Sequence, residues 1–438
     1  MPQSYIPFTK EMKKDYTILI PNMLPTHFKL IMSVLETYGY KTELLQQSGA
    51  HIAETGLKYT HNDTCYPAIL VIGQFLDALL SGKYDTHKVA LIMFQTGGGC
   101  RASNYIYLIR KALKKANLEY IPVISLSLAG IEKHPGFTPG PKILKNMIYA
   151  TLFGDLMMSL TNQVKPYEKN KGECDALVEK WTNTLGGCLG RSGKSSYAKI
   201  KENYAKIIDD FAKIKVEHRN TVKVGIVGEI FVKYSPLANN SLEKFLLSEG
   251  AEPVVPGLFD FLMYCVYNTL SECRFFKKNL ILYPVYSYVY RLLCKKKRDV
   301  ISLIKENGIF EAWTPFEEIV SLAPDLINTA VKMGEGWLLT AEMLELSKTG
   351  CTNIVCTQPF GCLPNHICGK GMMKPIKEKI PNANIVAIDY DAGASRVNQE
   401  NRLKLMLFNA RRNKSEGKSA AKSRAPQKDT VQKNIAHA

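Results

Sequence analysis

The sequence predicts an α/β protein built as two parallel-sheet lobes, with a helical segment between them and a disordered basic tail. Three observations carry that reading. Apolar runs of strand length alternate with amphipathic runs of helix length in the first and last thirds of the chain, as consecutive β-α-β units require. The stretch 141–216 has helical spacing with no strand-like run. The last residues are polar, charged and rich in Ser, Ala and Lys, so they cannot bury enough apolar surface to fold. At 438 residues the chain is long for a single core. The boundaries read as 1–140 for the N-terminal lobe, 141–218 for the helical segment, 219–412 for the C-terminal lobe and 413–438 for the tail.

Taken in order, "YTILIPNM" (16–23) reads as a buried strand, "HFKLIMSVLETYGY" as an amphipathic helix and "KTELLQ" as a second strand. "YPAILVIGQFLDALLSGKY" is a helix with Pro67 in its first turn and Gly82 at its end. "KVALIMFQT" is a strongly apolar strand that runs into "GGGCRASN" and the helix "YIYLIRKALKKA", and "EYIPVISLS" is the next strand. Two helices, "ILKNMIYATLFGDLMMSLTNQV" and "SYAKIKENYAKIIDDFAKI", flank a polar break. The alternation then resumes. "TVKVGIVGEIFV", "EPVVP", "NIVCTQ" and "NIVAIDY" read as strands, and "SLEKFLLSEG", "GWLLTAEMLELSKTG", "MMKPIKEKI" and "SRVNQENRLKLMLFNARR" as helices. Residues 258–294 are the most apolar and aromatic region. Glu272, Arg274, Lys277 and Lys278 interrupt it, which excludes a membrane span of about 20 uncharged residues and leaves a buried helical hairpin.

Three cysteines share one setting. Cys65 follows the polar turn "HNDT" and precedes a helix. Cys100 follows an apolar strand and three glycines, again before a helix. Cys362, in "TQPFGCLPNH", follows a strand and precedes a helix. In open α/β sheets ligands bind beyond the carboxyl ends of the strands, where helix N-termini offer free amides and the positive end of a dipole. Both favour a thiolate. Gly97, Gly98 and Gly99 allow close backbone approach to a bulky group, and Thr64 and Asn104 are candidate hydrogen-bond donors to sulfur. The chain has no Cys-x-x-Cys, so zinc ribbons and ferredoxin runs are excluded. Cys362 with His366 makes half a zinc site, and Cys368 is a spare ligand candidate. Cys265, Cys273, Cys294 and Cys356 read as core filler, Cys174 and Cys188 as exposed, and Cys351 is ambiguous.

Other motifs carry less. "GRSGKSS" (190–196) lacks the first glycine of a phosphate loop, because Cys188 stands in its place, and it follows no strand. Asp389 and Asp391 end a strand and read as turn formers or ligand contacts. Glu229, and Glu335 with Glu342, are the acid/base candidates, each also readable as a salt-bridged carboxylate. Eleven cysteines in a large chain with no apolar leader point to a reducing, cytoplasmic setting rather than a disulfide scaffold. The formal charge of +17 favours anionic substrates or acidic partners. Part of it lies in 411–438, where eight Lys and Arg face two acids. That stretch has no interleaved aromatics and no known binding fold beside it, so nucleic acid is not the expected partner; nor, given the charges that interrupt 258–294, is a membrane.

With these motifs in place, the chain resembles the 2-hydroxyacyl-CoA dehydratase superfamily. The matching stretches are "NDTCYPAILVIGQ", "TGGGCRASNY", "GEIFVKYSPLANNSLEKFL", "GEGWLLTAEM", "QPFGCLPNHICGKG" and "DYDAGASRVNQENRLKLML", which together span roughly 10–412. The likeness extends to the dehydratase-like module of large activase-fusion proteins and to the double-cubane cluster proteins. It implies two Rossmann-like lobes with an iron–sulfur cluster between them, either 4Fe–4S or double-cubane, held by Cys65, Cys100 and Cys362. It also implies an ATP-hydrolysing activase with its own iron–sulfur cluster, which injects one electron at low potential. In the dehydratases that electron permits loss of water from a 2-hydroxyacyl-CoA through a ketyl radical; in the double-cubane relatives it serves other low-potential reductions. The implied protein is an anaerobic lyase or reductase component, working as a homo- or heterodimer on an acyl-CoA. The alternative is a non-catalytic subunit that carries the cluster, transfers electrons or regulates. No sequence feature picks out a CoA site, and the activase module has no counterpart in these residues.

Overall fold

The computed structural model describes residues 5–61, 63–94, 99–126, 132–191, 196–278 and 280–423, and the side chains of these except 190, 191 and 415–423. Each of the eight apolar runs predicted as a strand contains one. In the first lobe β1 (Thr17–Ile20), β2 (Lys41–Leu44), β3 (Val89–Phe94) and β4 (Val123–Leu126) form a parallel sheet in the order β2-β1-β3-β4. In the second, β5 (Val222–Gly228), β6 (Ala251–Val254), β7 (Asn353–Pro359) and β8 (Asn384–Tyr390) form a parallel sheet in the order β6-β5-β7-β8. Both sheets have the same winding. The chain adds its second strand on one side of the first and then crosses to the other, so the strand order reverses between β1 and β3 and between β5 and β7. Those two reversal points open crevices at the carboxyl ends of the central strands. Helices cover both faces, which is why β3 and β7 read as continuous apolar runs rather than alternating ones.

The segment between the lobes is three helices, Pro141–Val164, Glu173–Arg191 and Tyr197–Ala212. The first two pack on the Pro25–Thr37 helix of the first lobe, and the third packs on the Tyr283–Asn307 helix of the second. A buried polar junction ties these layers together. Asp155 Oδ1 lies 2.8 Å from His27 Nε2 and accepts from the Leu258 amide at 2.8 Å, and Asp155 Oδ2 accepts from the Phe259 amide at 2.8 Å. One carboxylate therefore caps the Leu258–Phe276 helix and binds the first lobe to it.

Five expectations change. The polar break between 165 and 195 contains the helix Glu173–Arg191, whose Cys174, Trp181, Leu185 and Leu189 are buried, so Cys174 is a core residue. A further helix, Ala50–Tyr59, precedes Cys65. A Cβ at Gly56 would stand 2.0 Å from the Ile69 carbonyl and one at Gly73 2.0 Å from that of Ile52, so the two glycines let this helix and Tyr66–Leu80 touch backbone to backbone. The strand expected over 221–232 stops at Gly228, and Ile230–Tyr234 is helical because Glu229 Oε2 caps it through the Val232 amide at 2.8 Å. The last helix runs from Arg396 to Ser423, beyond the expected end at 412; 424–438 lie outside the described residues. The hairpin of Leu258–Phe276 and Tyr283–Asn307 is buried along its first helix as far as Cys273, whereas its tip is exposed. Among the described residues no helix is long and apolar enough to cross a membrane.

Candidate functional site

Cys65, Cys100 and Cys362 come from separate parts of the chain and lie within electrostatic reach of one another, near the contact of Gly99 in the first lobe with Met333 in the second. Cys65 immediately precedes the Tyr66–Leu80 helix, Cys100 a short 3-10 turn at Arg101–Asn104, and Cys362 the short helix Leu363–Cys368 that follows β7. All three side chains are half-buried free thiols. The Glu229 carboxyl raises the pKa of every one of them, Cys100 acts on Cys65, and Cys65 acts on Cys362, so the sulfurs share a single electrostatic environment. Gly97 and Gly98 lie outside the described residues, while the Gly99 amide donates to Met333 Sδ at 3.1 Å across the interface between lobes.

Burial is the first cause of each thiol's shift. It pushes Cys65 up to about 12, with Glu229 adding to it, and raises Cys100 and Cys362, with Glu335 and Glu229 adding to both. The amides of Ala68, Ala102 and Asn365 pull the other way, favouring the thiolate, from positions too far or too bent to count as capping hydrogen bonds. The hydrogen-bond partners of sulfur are Tyr105 and Asn365, in place of Thr64 and Asn104. The Tyr105 hydroxyl lies 3.4 Å from Cys65 Sγ, and Asn365 Nδ2 lies 3.4 Å from Cys362 Sγ. Sequence reasoning had no signal for Tyr105, which looks like one more apolar residue at a helix start. Asn365 was visible in "CLPNH" three residues after Cys362, where a side chain at the next turn reaches back.

Behind the thiols stands a pair of buried carboxyls. Glu229 follows β5, the central strand beside β7. Glu335 sits before the Gly336–Lys348 helix on a loop held by the Tyr264 hydroxyl, which donates to the carbonyls of Lys332 (2.9 Å) and Gly334 (3.0 Å). Glu335 Oε1 accepts from the Ile230 amide at 3.0 Å and Oε2 from Asn365 Nδ2 at 2.8 Å. Burial and then the neighbouring Glu335 push Glu229 up to about 8, and burial raises Glu335 as well. The two together retain a proton near neutrality, next to the thiols. Glu342, grouped with Glu335 in sequence, turns the other way. Its oxygens take the buried Lys233 ammonium at 3.0 and 3.2 Å, so it belongs to a structural ion pair.

The remaining candidates separate from the thiols. His366 turns Nδ1 to the Cys362 carbonyl at 2.9 Å and Nε2 toward Asp389 at 4.0 Å, leaving no half zinc site with the Cys362 sulfur. Cys368 and Cys356 are buried in the second lobe's apolar core, together with Leu339 and Ile376. Cys273, Cys294 and Cys351 are buried, and Cys265 and Cys188 half-buried. In "GRSGKSS" the first residues continue the Glu173–Arg191 helix, and 192–195 lie outside the described residues. Asp389 accepts from Gln358 Nε2 at 2.6 Å, and the Asp391 charge raises the Tyr66 phenol, after burial, to about 12 across the lobe interface. A concavity of about 640 Å3 lies at the outer edge of β8, lined by Lys370, Met373, Lys374, Lys377 and Arg402, and does not include the thiols.

Among the described residues no three His, Cys, Asp or Glu side chains stand close enough to hold one metal ion. An iron–sulfur cluster distributes its ligands over several irons and accepts a wider spread of sulfurs. The donor set suits that group: three soft sulfur donors from two lobes, N–H and O–H groups aimed at two of them, and backbone approach at Gly99. No protein-family model matches the chain, and no curated protein is significantly similar to it.

Proposed function

We propose that this chain is an iron–sulfur protein of the 2-hydroxyacyl-CoA dehydratase type, reduced by an ATP-hydrolysing activase and acting on a 2-hydroxyacyl-CoA or in a related low-potential reduction. The observation that carries the reading is that Cys65, Cys100 and Cys362, half-buried thiols from separate stretches of the two lobes, all feel the Glu229 carboxyl and are linked through Cys65. When bound, the cluster supplies single electrons at low potential and an iron able to polarise a thioester carbonyl. This chain's own residues do the rest. The three thiols would hold the group as thiolates, releasing their protons to solvent, with coordination to iron offsetting the high pKa that burial gives them. Tyr105 and Asn365 orient Cys65 and Cys362 and tune sulfur basicity. Glu229 and Glu335 hold a proton close to the thiols, available to a departing hydroxide. A reducing cytoplasm keeps such thiols available.

A second reading is a subunit that carries the cluster or passes electrons without binding substrate. Turnover separates the two. Anaerobic protein mixed with a purified activase of this type, ATP and 2-hydroxyglutaryl-CoA is expected to release water and the enoyl-CoA. Cluster reduction with no product over a panel of 2-hydroxyacyl-CoAs favours the second reading, and protein that takes up no cluster removes both.

A further inference from the structure

Among the described residues the hairpin tip carries the most exposed large apolar side chain and several more beside it. Phe275, Phe276, Leu280, Leu282 and Val285 are each about half exposed, and Ile281 is 93% exposed. The stem is anchored by Leu293, Cys294, Val300 and Ile301 and by the buried Lys297–Asp260 pair at 2.6 Å, so the tip is carried on a packed scaffold. Residues 274–298 contain eight Lys and Arg and no acid. Lys297 and Arg298 are matched by Asp260 and Glu317, whereas Lys277, Lys278, Arg291 and Lys295 reach no carboxylate among the described residues. The tip is thus an apolar apex with unpaired cations at its base, and with Tyr286 and Tyr288 on the flank.

We propose that this tip is a docking element for an anionic lipid surface, its apex entering the interface and its lysines meeting the headgroups. Three observations select that occupant. A second copy is disfavoured, because a two-fold contact would set two unpaired basic tips against each other. A nucleic acid would use the charge and the aromatics, but the apex is mainly aliphatic (Leu280, Ile281, Leu282, Val285), and aliphatic side chains neither stack on bases nor bond to them. A lipid interface takes all three kinds of residue at their natural depths, with aliphatic side chains among the acyl chains, Tyr at headgroup level and Lys and Arg outward. No span is involved. The contact is peripheral, and it revises the expectation from composition that no membrane is a partner.

The test is flotation of the full chain with phosphatidylcholine vesicles, with and without about 30% phosphatidylserine, at about 0.15 M salt. The basic tail is unchanged in every variant, so differences between variants report the tip alone. Wild type is expected to float with the anionic vesicles and not with the neutral ones. K277A/K278A should weaken partitioning roughly thirtyfold, about fivefold for each lysine near the surface. I281E and F276E should also lose flotation, with circular dichroism unchanged because both positions are exposed. No flotation of wild type, or flotation unchanged in I281E and K277A/K278A, overturns the proposal. So does an RNA mobility shift lost in K277A/K278A without any flotation, which would assign the patch to nucleic acid. The readout is independent of cluster content, so its failure leaves the proposed function standing.

Discussion

Replacing Glu229 by Gln keeps the acceptor oxygen that caps the Ile230–Tyr234 helix through the Val232 amide and removes a carboxyl that burial and Glu335 push up to about 8. A carboxyl with a raised pKa holds its proton more tightly in the folded than in the unfolded chain. Folded protein therefore binds more protons, and stability falls as the pH rises from the unfolded value of 4.5 through about 8. That interval corresponds to at most about 5 kcal/mol, a loss that belongs to the Glu229–Glu335 pair rather than to either acid alone. The Gln variant carries no such penalty at position 229. Urea denaturation of reduced protein is expected to show E229Q more stable than wild type already at pH 6, by up to about 2 kcal/mol, because part of the interval between 4.5 and about 8 has been crossed. At pH 9 the variant should be the more stable, by up to about 5 kcal/mol. The Cys65, Cys100 and Cys362 thiols and the Tyr105 phenol, which the Glu229 carboxyl raises, do not cancel in the difference and add to the loss in wild type at pH 9. Parallel pH profiles, or a steeper loss in E229Q, would refute the buried carboxyl pair behind the thiols.

Two further outcomes follow from the packing. At Gly228, φ is +140° and a Cβ would stand 1.8 Å from the Thr357 carbonyl on β7, so Gly228→Ala should cost about 2–5 kcal/mol and displace the adjacent Glu229, read as a lower denaturation midpoint. Lys233→Met strands Glu342, held at about 7 by burial against the pull of the ammonium, and should cost about 3–5 kcal/mol, most of it recovered in K233M/E342L; a single-variant cost under about 1 kcal/mol would remove the pair from the structural account.

The strands were legible because helices cover both sheet faces, and runs such as "VALIMF" and "NIVCTQ" have no other use than burial. The helices Ala50–Tyr59 and Glu173–Arg191 were not, since each holds glycine inside polar surroundings. Gly56 serves close helix contact, as does Gly186, where a Cβ would stand 2.9 Å from Ser33 Oγ, and sequence shows only a breaker. The three thiols each precede a helix, as the sequence suggests, and Cys100 and Cys362 follow β3 and β7, but the Ala50–Tyr59 helix separates Cys65 from β2. The carboxyl pair was half legible: Glu229 ends "VGIVGE", but nothing in the chain order shows that Glu335, over a hundred residues later, turns to it while Glu342 turns to Lys233. The exposed hairpin tip was misread as buried because hydropathy alone does not distinguish a core helix from an apex flanked by lysines.

The account rests on three thiols acting as one ligand set, and the most direct test is iron and acid-labile sulfide content with EPR of the dithionite-reduced protein, purified and reconstituted without oxygen. Wild type and Cys265→Ala are expected to carry iron and sulfide in equal amounts and to give a low-temperature EPR signal, which Cys65→Ala, Cys100→Ala and Cys362→Ala each diminish or abolish. An iron-free wild type, or equal iron in all the variants, would contradict it.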